Sequence, residues 1–381
     1  MSQDIKTEIN VLYLTINPNR MSTTAPTEGW FKHLIPKGLR PVLVSHKAGD
    51  FHNWSLQQGI PAYQISLPFP SKTNPFPFTR SLWQLYRIVK KHKIQLIHCN
   101  EQDNFPIGKY LSRICRIPIA VSVHFTMDSG FCRWAFKGAR QLQRVFFVSN
   151  GLLNNCRQAI EGVIPESKVK VLYNGLDLAY FQPDQSQRDN FLKKYGLEKQ
   201  LLIGTACAFR PRKQLEHLFE TVLHLNVPNL KVVVAGFAVP GDEKYVKHLL
   251  ENARRKMGDR LLYLGQLNSQ ELLGFYNALD ISVNTSEEEA FSISVLEAMA
   301  CGCPVIGYPS KDTVSEVVLP SGGEIVEQDN IDKLTEALAQ WLNDPQKLET
   351  ARIDARRQAE RFDIAKIADQ LWDEYKVILN K

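Results

Sequence analysis

The chain is 381 residues long, 44% apolar and 23% charged, a balance that suits a globular protein of two domains and excludes a disordered or fibrous chain. No window approaches 18 uncharged apolar residues, and the opening MSQDIKTEINVLYLTI enters a strand pattern without a basic leader, so a cytoplasmic chain is expected and a spanning helix is not. The net charge of +6 hides a division: residues 1–180 carry 22 Lys and Arg against 10 Asp and Glu (+12), residues 181–381 carry 24 against 30 (−6).

In chain order, the first half offers the apolar runs INVLYLTI, RPVLVSH, IQLIHCN, PIAVSVHF, RVFFVSN and KVKVLYNG. Separated by amphipathic segments such as 79–92, they read as strands of a parallel sheet covered on both faces. A polar, turn-rich stretch over 173–189, YNGLDLAYFQPDQSQRD, reads as an interdomain linker. The second half repeats the rhythm with QLLIGTACAF, LKVVVAGF, RLLYLGQ, LDISVNTS, CPVIGY and GGEIVE, so each half is expected to be a doubly wound α/β domain. Ile364, Ile367, Leu371, Tyr375 and Leu379 recur at helical spacing and predict a long terminal helix. Seven scattered cysteines lack the spacing of a disulfide or zinc framework, and Cys301 and Cys303 flank Gly302 in what reads as a tightly packed turn.

Residues 286–310, SEEEAFSISVLEAMACGCPVIGYPS, join a strand to a helix whose start falls near Phe291 and Ser292, where a preceding serine or glutamate is placed to cap it. A helix N-terminus at the carboxyl end of a parallel sheet presents free N–H groups to an anion, and phosphate is the natural guest. Glu289 precedes that terminus and Glu297 follows about 6 to 8 Å inside it. A carboxylate accepts two hydroxyl donors at once and so suits vicinal diols. Ribose, diphosphate and hexose follow one another in a nucleoside diphosphate sugar, and Glu297, the helix end and Glu289 offer partners in that order. Arg210, Arg212 and Lys213, after the strand LLIGTACAF, supply the cations that a diphosphate beside carboxylates demands. The rival reading is a solvated charge run beside an ordinary surface glutamate.

The stretch resembles the retaining glycosyltransferases of family 4, whose fold is GT-B, through the E-x7-E pair Glu289 and Glu297. KVKVLYNGLDLAYFQP, RPRK, RLLYLGQL, Glu316 and Gly323 extend the likeness over residues 165–345. It implies an amino-terminal acceptor-binding domain over 1–180, joined by the terminal helix 364–381, and a donor-binding domain over 181–363 facing it across a cleft. It further implies that Lys213 and the backbone amides of Phe291, Ser292 and Ile293 hold the donor phosphates, with Arg210 and Arg212 beside them. Glu289 would meet the hexose, Glu297 the ribose, Gln266 the base through its backbone, and His124 the reacting sugar, orienting it or neutralising charge. His98 is read as structural. Two features depart from the family pattern: Ala208 replaces the arginine common five residues before the lysine, and the paired glycines after the first strand are missing. In NPNRMSTTAPTEGW, Thr23, Thr24 or Gly29 would do their work.

The activity implied is retaining transfer of a hexosyl group from a UDP- or GDP-sugar to an acceptor hydroxyl in polysaccharide or glycoconjugate biosynthesis, without cofactor or obligatory metal. A sugar-nucleotide epimerase on the same fold, or a non-catalytic nucleotide-sugar binder, are the alternatives. The basic half is expected to face the acceptor. In TRSLWQLYRIVKKHKIQ, Leu82, Leu85 and Val89 share one helix face, with basic and aromatic residues around it; the segment offers itself either to an anionic membrane surface or acceptor, or as a core stripe with a solvated flank. Nucleic acid is not an expected partner.

Overall fold

The computed structural model describes residues 8–20 and 23–380; the first seven residues of the opening segment, and Met21 and Ser22 of the loop after the first strand, lie outside the described residues. The chain divides into two compact units, one of residues 1–175 with 364–381 and one of residues 176–363. The first break therefore falls after Gly175 rather than after residue 180.

The amino-terminal unit is built on seven parallel strands: β1 (Ile9–Thr15), β2 (Leu39–Ser45), β3 (Ala62–Gln64), β4 (Leu96–Cys99), β5 (Ile119–Val123), β6 (Leu142–Phe147) and β7 (Val169–Val171). Their order is β3-β2-β1-β4-β5-β6-β7. Six of the seven are the apolar runs of the sequence; β3 is a three-residue edge strand, too short to leave a periodic signal. The carboxy-terminal unit holds β8 (Leu201–Phe209), β9 (Leu230–Ala238), β10 (Leu261–Tyr263), β11 (Ile281–Asn284), β12 (Val305–Gly307) and β13 (Gly323–Ile325). They are ordered β10-β9-β8-β11-β12-β13, all parallel. Each sheet grows outward from its first strand in one direction and then returns to add strands on the other side. That reversal opens a crevice at the carboxyl ends of β1 and β4 in one unit, and of β8 and β11 in the other.

The expected linker is shorter than its composition suggests. Residues 185–189 begin a helix, Gln185–Tyr195, because the Asp184 carboxylate accepts from the amides of Ser186 and Gln187 and caps it. Deeper in the same unit, Asp280 accepts from the Leu202 amide (2.8 Å), Arg188 (3.0 Å) and Arg352 (2.8 Å), tying two strands to two helices. A buried carboxylate needs that many donors to offset its desolvation. The helix predicted over 79–92 runs from Phe76 to Lys91 and buries Phe78, Ser81, Leu85, Ile88 and Val89; Leu82 is only half-buried.

The terminal helix, Ile364–Leu379, belongs to the amino-terminal unit and packs on the helix Ala25–Leu34. Gly29 makes that approach possible: a Cβ there would stand 2.3 Å from Cγ1 of Ile364. Gly29 is therefore a packing glycine on a helix, not a phosphate-binding residue. Farther along, the Tyr375 hydroxyl lies 2.9 Å from the Tyr13 hydroxyl and 2.5 Å from Nδ1 of His98, whose Nε2 lies 2.8 Å from the Ser122 hydroxyl. All four residues are buried. Burial, with the nearby His124, lowers His98 to about 3, so the imidazole stays neutral and serves as donor on one side and acceptor on the other, the structural role expected of it. Tyr375→Phe leaves two buried polar partners incompletely satisfied and is expected to lower stability by about 1–3 kcal/mol, read as a reduced urea midpoint with an unchanged m-value.

Candidate functional site

Three loops converge at the carboxyl ends of β8, β11 and β12. The loop after β8 passes through Arg210 and a short turn, Pro211–Lys213, before Gln214 enters the left-handed region (φ +46) and the helix Leu215–His224 begins. The loop after β11 covers residues 285–292 and leads into the helix Ile293–Ala300. Hydrogen bonds fasten the two loops together: the Glu287 amide donates to the Arg212 carbonyl (2.9 Å) and the Thr285 hydroxyl to the Lys213 carbonyl (2.8 Å). Across this seam the Lys213 ammonium donates to Oε1 of Glu289 at 2.5 Å, and the Ser286 hydroxyl donates to the same oxygen at 2.8 Å. Glu289 is 8% exposed. The solvated charge run is thus ruled out for this glutamate, while Glu287 is exposed and Glu288 pairs with Lys311 (2.8 Å).

The loop after β12 supports the arrangement from below at a conformational cost. Ser310, Lys311 and Asp312 all take left-handed backbone, with φ of +50, +56 and +67, which costs a non-glycine residue about 1–2 kcal/mol. Compensating bonds run to the neighbouring loop. Ser310 donates to the Ser286 carbonyl (2.7 Å) and accepts from Asn284 (2.9 Å), and the Thr313 hydroxyl donates to the Glu289 carbonyl (3.0 Å). Residues 310–313 therefore hold in place the loop that carries Glu289.

The helix starts where the sequence puts it, with Ser292 at the cap position, but the expected side-chain cap is absent: Ser292 makes no capping bond. Its hydroxyl oxygen is buried without a protein partner, as is Nε of Arg212. Buried polar groups in folded proteins are almost always satisfied, so each of these two atoms is open to a polar partner from outside the chain. Phe291 is 5% exposed and packs edge-on against Phe362, so its ring belongs to the core of the unit. One turn into the helix, Glu297 accepts from the hydroxyl of the buried Tyr276 at 2.9 Å. Burial raises its carboxyl to about 7, with the Tyr276 bond pulling it back. The tyrosine occupies Oε2.

Arg210 is exposed at the start of its turn. Gln266 is exposed just after β10, where the Gly236 amide of β9 donates to the Gly265 carbonyl (2.8 Å) and ties the loop after β10 to β9. Ala208 is the penultimate residue of β8. Glu316 lies in the first turn of the helix Thr313–Val318. Gly323 opens β13 at φ +153, where a Cβ would stand 1.8 Å from the Val305 carbonyl oxygen.

His124 belongs to the amino-terminal unit, just beyond β5, and is buried with Nε2 unpartnered; its amide donates to the Gln102 side chain (3.2 Å). Burial lowers it to about 4 against a raising hydrogen bond at the Asn100 backbone. It is therefore neutral at pH 7, against the expectation that it neutralises charge. Beside it the sequence reading missed Glu101, fully buried after β4, which accepts from Thr15 (2.8 Å), the Ile16 amide (3.1 Å) and Asn104 (2.8 Å). Burial pushes this carboxyl up to about 7, opposed by its hydrogen bonds to Thr15, Asn100, Ile16 and Asn17. The same network reaches the described residues on either side of Met21 and Ser22: Asn17 donates to the Thr23 hydroxyl, and Thr24 donates to the Asn19 carbonyl. The polar run CNEQDN directly after a strand was the available signal. Nothing in LLGFYNALD distinguishes Tyr276 from a core aromatic.

The shift at Glu297 makes stability depend on pH. Between its ordinary 4.5 and about 7 the folded chain keeps a proton that the unfolded chain has lost. The contribution is complete below pH 4.5 and disappears as pH rises through 7. Glu297→Gln is expected to gain up to about 3 kcal/mol relative to wild type between pH 5 and pH 8 in urea unfolding; parallel pH dependences would contradict the buried carboxyl.

The family model described as glycosyl transferases group 1 matches residues 187–358, and that described as glycosyltransferase family 4 matches residues 31–180. A glycosyltransferase of Methanocaldococcus jannaschii, itself named as uncharacterized, is 29% identical over 237 residues, 58% of this chain. The UDP-Gal:alpha-D-GlcNAc-diphosphoundecaprenol alpha-1,3-galactosyltransferase of Escherichia coli is 25% identical over 316 residues, 79% of this chain. The aligned stretches span 58% of the first relative's length and 80% of the second's. Among solved structures, Anabaena HepE in complex with UDP-glucose superposes with a TM-score of 0.84 at 21% identity, over 97% of this chain and 100% of that one. One family model on each half, on a fold shared along nearly the whole length, places the chain among the family 4, group 1 glycosyltransferases of the GT-B fold.

Proposed function

We propose that the protein moves a hexosyl group from a UDP-sugar to an acceptor hydroxyl with retention of anomeric configuration, in the synthesis of a polysaccharide, glycolipid or related glycoconjugate. The observation that carries this reading is the buried Lys213–Glu289 pair beside the start of the helix Ile293–Ala300, with Glu297 one turn inside. In this reading the diphosphate takes the Lys213 ammonium, the amides of Phe291, Ser292 and Ile293 and the unpartnered Ser292 hydroxyl and Arg212 Nε. Arg210 serves the outer side. Glu297 accepts from the ribose through the oxygen that Tyr276 leaves, Gln266 meets the base through its backbone, and Glu289, relieved of Lys213, turns to the hexose hydroxyls. Uridine is preferred over guanosine because HepE is solved with UDP-glucose and the Escherichia coli relative is named for UDP-Gal.

The bond from the anomeric carbon to the diphosphate breaks and a bond to the acceptor oxygen forms on the same face, while the acceptor proton passes to the departing phosphate oxygen. Lys213, Arg212 and the helix end supply the positive charge that the leaving group requires, as preorganised electrostatic stabilisation, and the scheme carries no metal. His124, neutral, orients the reacting sugar. The acceptor is assigned to the basic amino-terminal unit, in peripheral contact with a membrane.

Incubation with UDP-glucose and UDP-galactose in EDTA, followed by NMR, separates the possible functions. The proposal predicts slow release of UDP with the α-anomer of the sugar appearing first, and a loss of about 100-fold or more in Lys213→Ala. A changed sugar still joined to UDP would mean an epimerase; unaltered donor that nonetheless binds would mean a carrier without catalysis.

A further inference from the structure

The helix Phe76–Lys91 presents a face that the transferase reading does not use. Opposite its buried residues, Phe76, Arg80, Trp83, Arg87 and Lys90 recur at i, i+4, i+7, i+11 and i+14, a single outward stripe on a 3.6-residue helix. All five are exposed, Phe76 at 70% and Trp83 at 58%. The Arg87 guanidinium lies 4.8 Å from the Trp83 ring centroid, so cation and aromatic share one patch. No aspartate or glutamate interrupts the helix.

The helix also packs against neighbouring elements that carry exposed aromatic and basic residues. Phe78 meets Tyr110 of the helix Phe105–Cys115 edge-on, and Lys109 of that helix donates to the Ala135 carbonyl of the helix Ser129–Phe136 (2.6 Å). The three helices therefore lie side by side in one layer, the middle one packed on β4 and β5. On the third, Trp134 is 46% exposed and packs edge-on with Phe69, itself 52% exposed. Across residues 69–140 the sequence holds 12 Lys and Arg against three Asp and Glu, Glu101 among them buried. Among the described residues, none of those twelve cations forms an ion pair within the chain; those elsewhere repeatedly do.

We infer that this layer is the surface by which the protein lies on an anionic lipid bilayer. Exposed tryptophan and phenylalanine gain by entering the headgroup boundary, and arginines on the same stripe keep their stems along the apolar region while their heads meet lipid phosphate. A protein partner with a packed apolar interface would leave Arg80 and Arg87 desolvated between the aromatics, whereas a bilayer surface satisfies both kinds of side chain at one depth. No described helix is long and apolar enough to cross a membrane, and the contact is peripheral. The inference gives a place to the membrane contact proposed for the acceptor side. It is measured without any donor, so its failure leaves the donor assignment untouched.

The full chain is floated with phosphatidylcholine vesicles, with and without phosphatidylglycerol, at low and high salt. The inference predicts binding only to the anionic vesicles, weakened by salt, and reduced about tenfold or more in Arg80→Glu/Arg87→Glu and in Phe76→Ala/Trp83→Ala. The unfolding midpoints of both variants should match wild type, because the side chains are exposed. Brominated phosphatidylglycerol should quench wild-type tryptophan fluorescence more than that of Trp83→Phe, a readout that does not need the charge variant to fold. Binding indifferent to lipid charge, quenching unchanged in Trp83→Phe, or capture of duplex DNA in place of vesicles would overturn it.

Discussion

Lys213 and Glu289 hold each other across two loops, and the local architecture of the carboxy-terminal unit depends on that contact. Both side chains are nearly removed from water, so each would carry an uncompensated charge without the other. Satisfying them requires the loops after β8 and β11 to lie side by side. The backbone bonds at Arg212, Lys213 and Glu287 fix that register, and the left-handed residues 310–312 support it. An ion pair bought with strained backbone and two unpartnered buried polar atoms is poorly explained by stability alone. The proposed donor site accounts for it: Glu289 would keep Lys213 desolvated and aimed until phosphate takes the lysine.

Burial sets the electrical state of the other polar residues at the strand ends. His124 is kept neutral, while Glu101 and Glu297 are held near pH 7 by the same desolvation. Glu101 uses its lone pairs to tie Thr15, Ile16 and Asn17 to Asn100 and Asn104, and Glu297 has one oxygen committed to Tyr276. These groups position by hydrogen bonds rather than by net charge. Formal positive charge is concentrated instead at the Lys213 loop and on the outward face of the helix Phe76–Lys91.

Much of this was legible in the residues. Among the described residues, twelve of the thirteen strands announce themselves as apolar runs, because strands buried on both faces leave no alternation to be confused with anything else. The start of the helix at Ile293 followed from the strand-to-helix rhythm, and Glu289, Glu297 and Lys213 from charge placed at a strand end. What escaped depended on tertiary context. Asp184 reads as part of a linker until its carboxylate is seen capping a helix. Gly29 reads as a phosphate-loop glycine until Ile364, more than three hundred residues away, packs against it. Tyr276 is an ordinary core aromatic in sequence, and only the fold brings its hydroxyl to Glu297. The stripe Phe76–Arg80–Trp83–Arg87 was present in the spacing, yet its outward orientation required knowing which residues of that helix are buried.

The central claim is that the crevice at Lys213 and Ile293 receives a nucleoside diphosphate. Calorimetric titration of UDP and UMP into the metal-free protein tests it most directly. The account predicts one UDP per chain, with UMP weaker by at least about tenfold because it lacks the phosphate that Lys213 would meet. No binding of UDP, or equal affinity for the two, would contradict it.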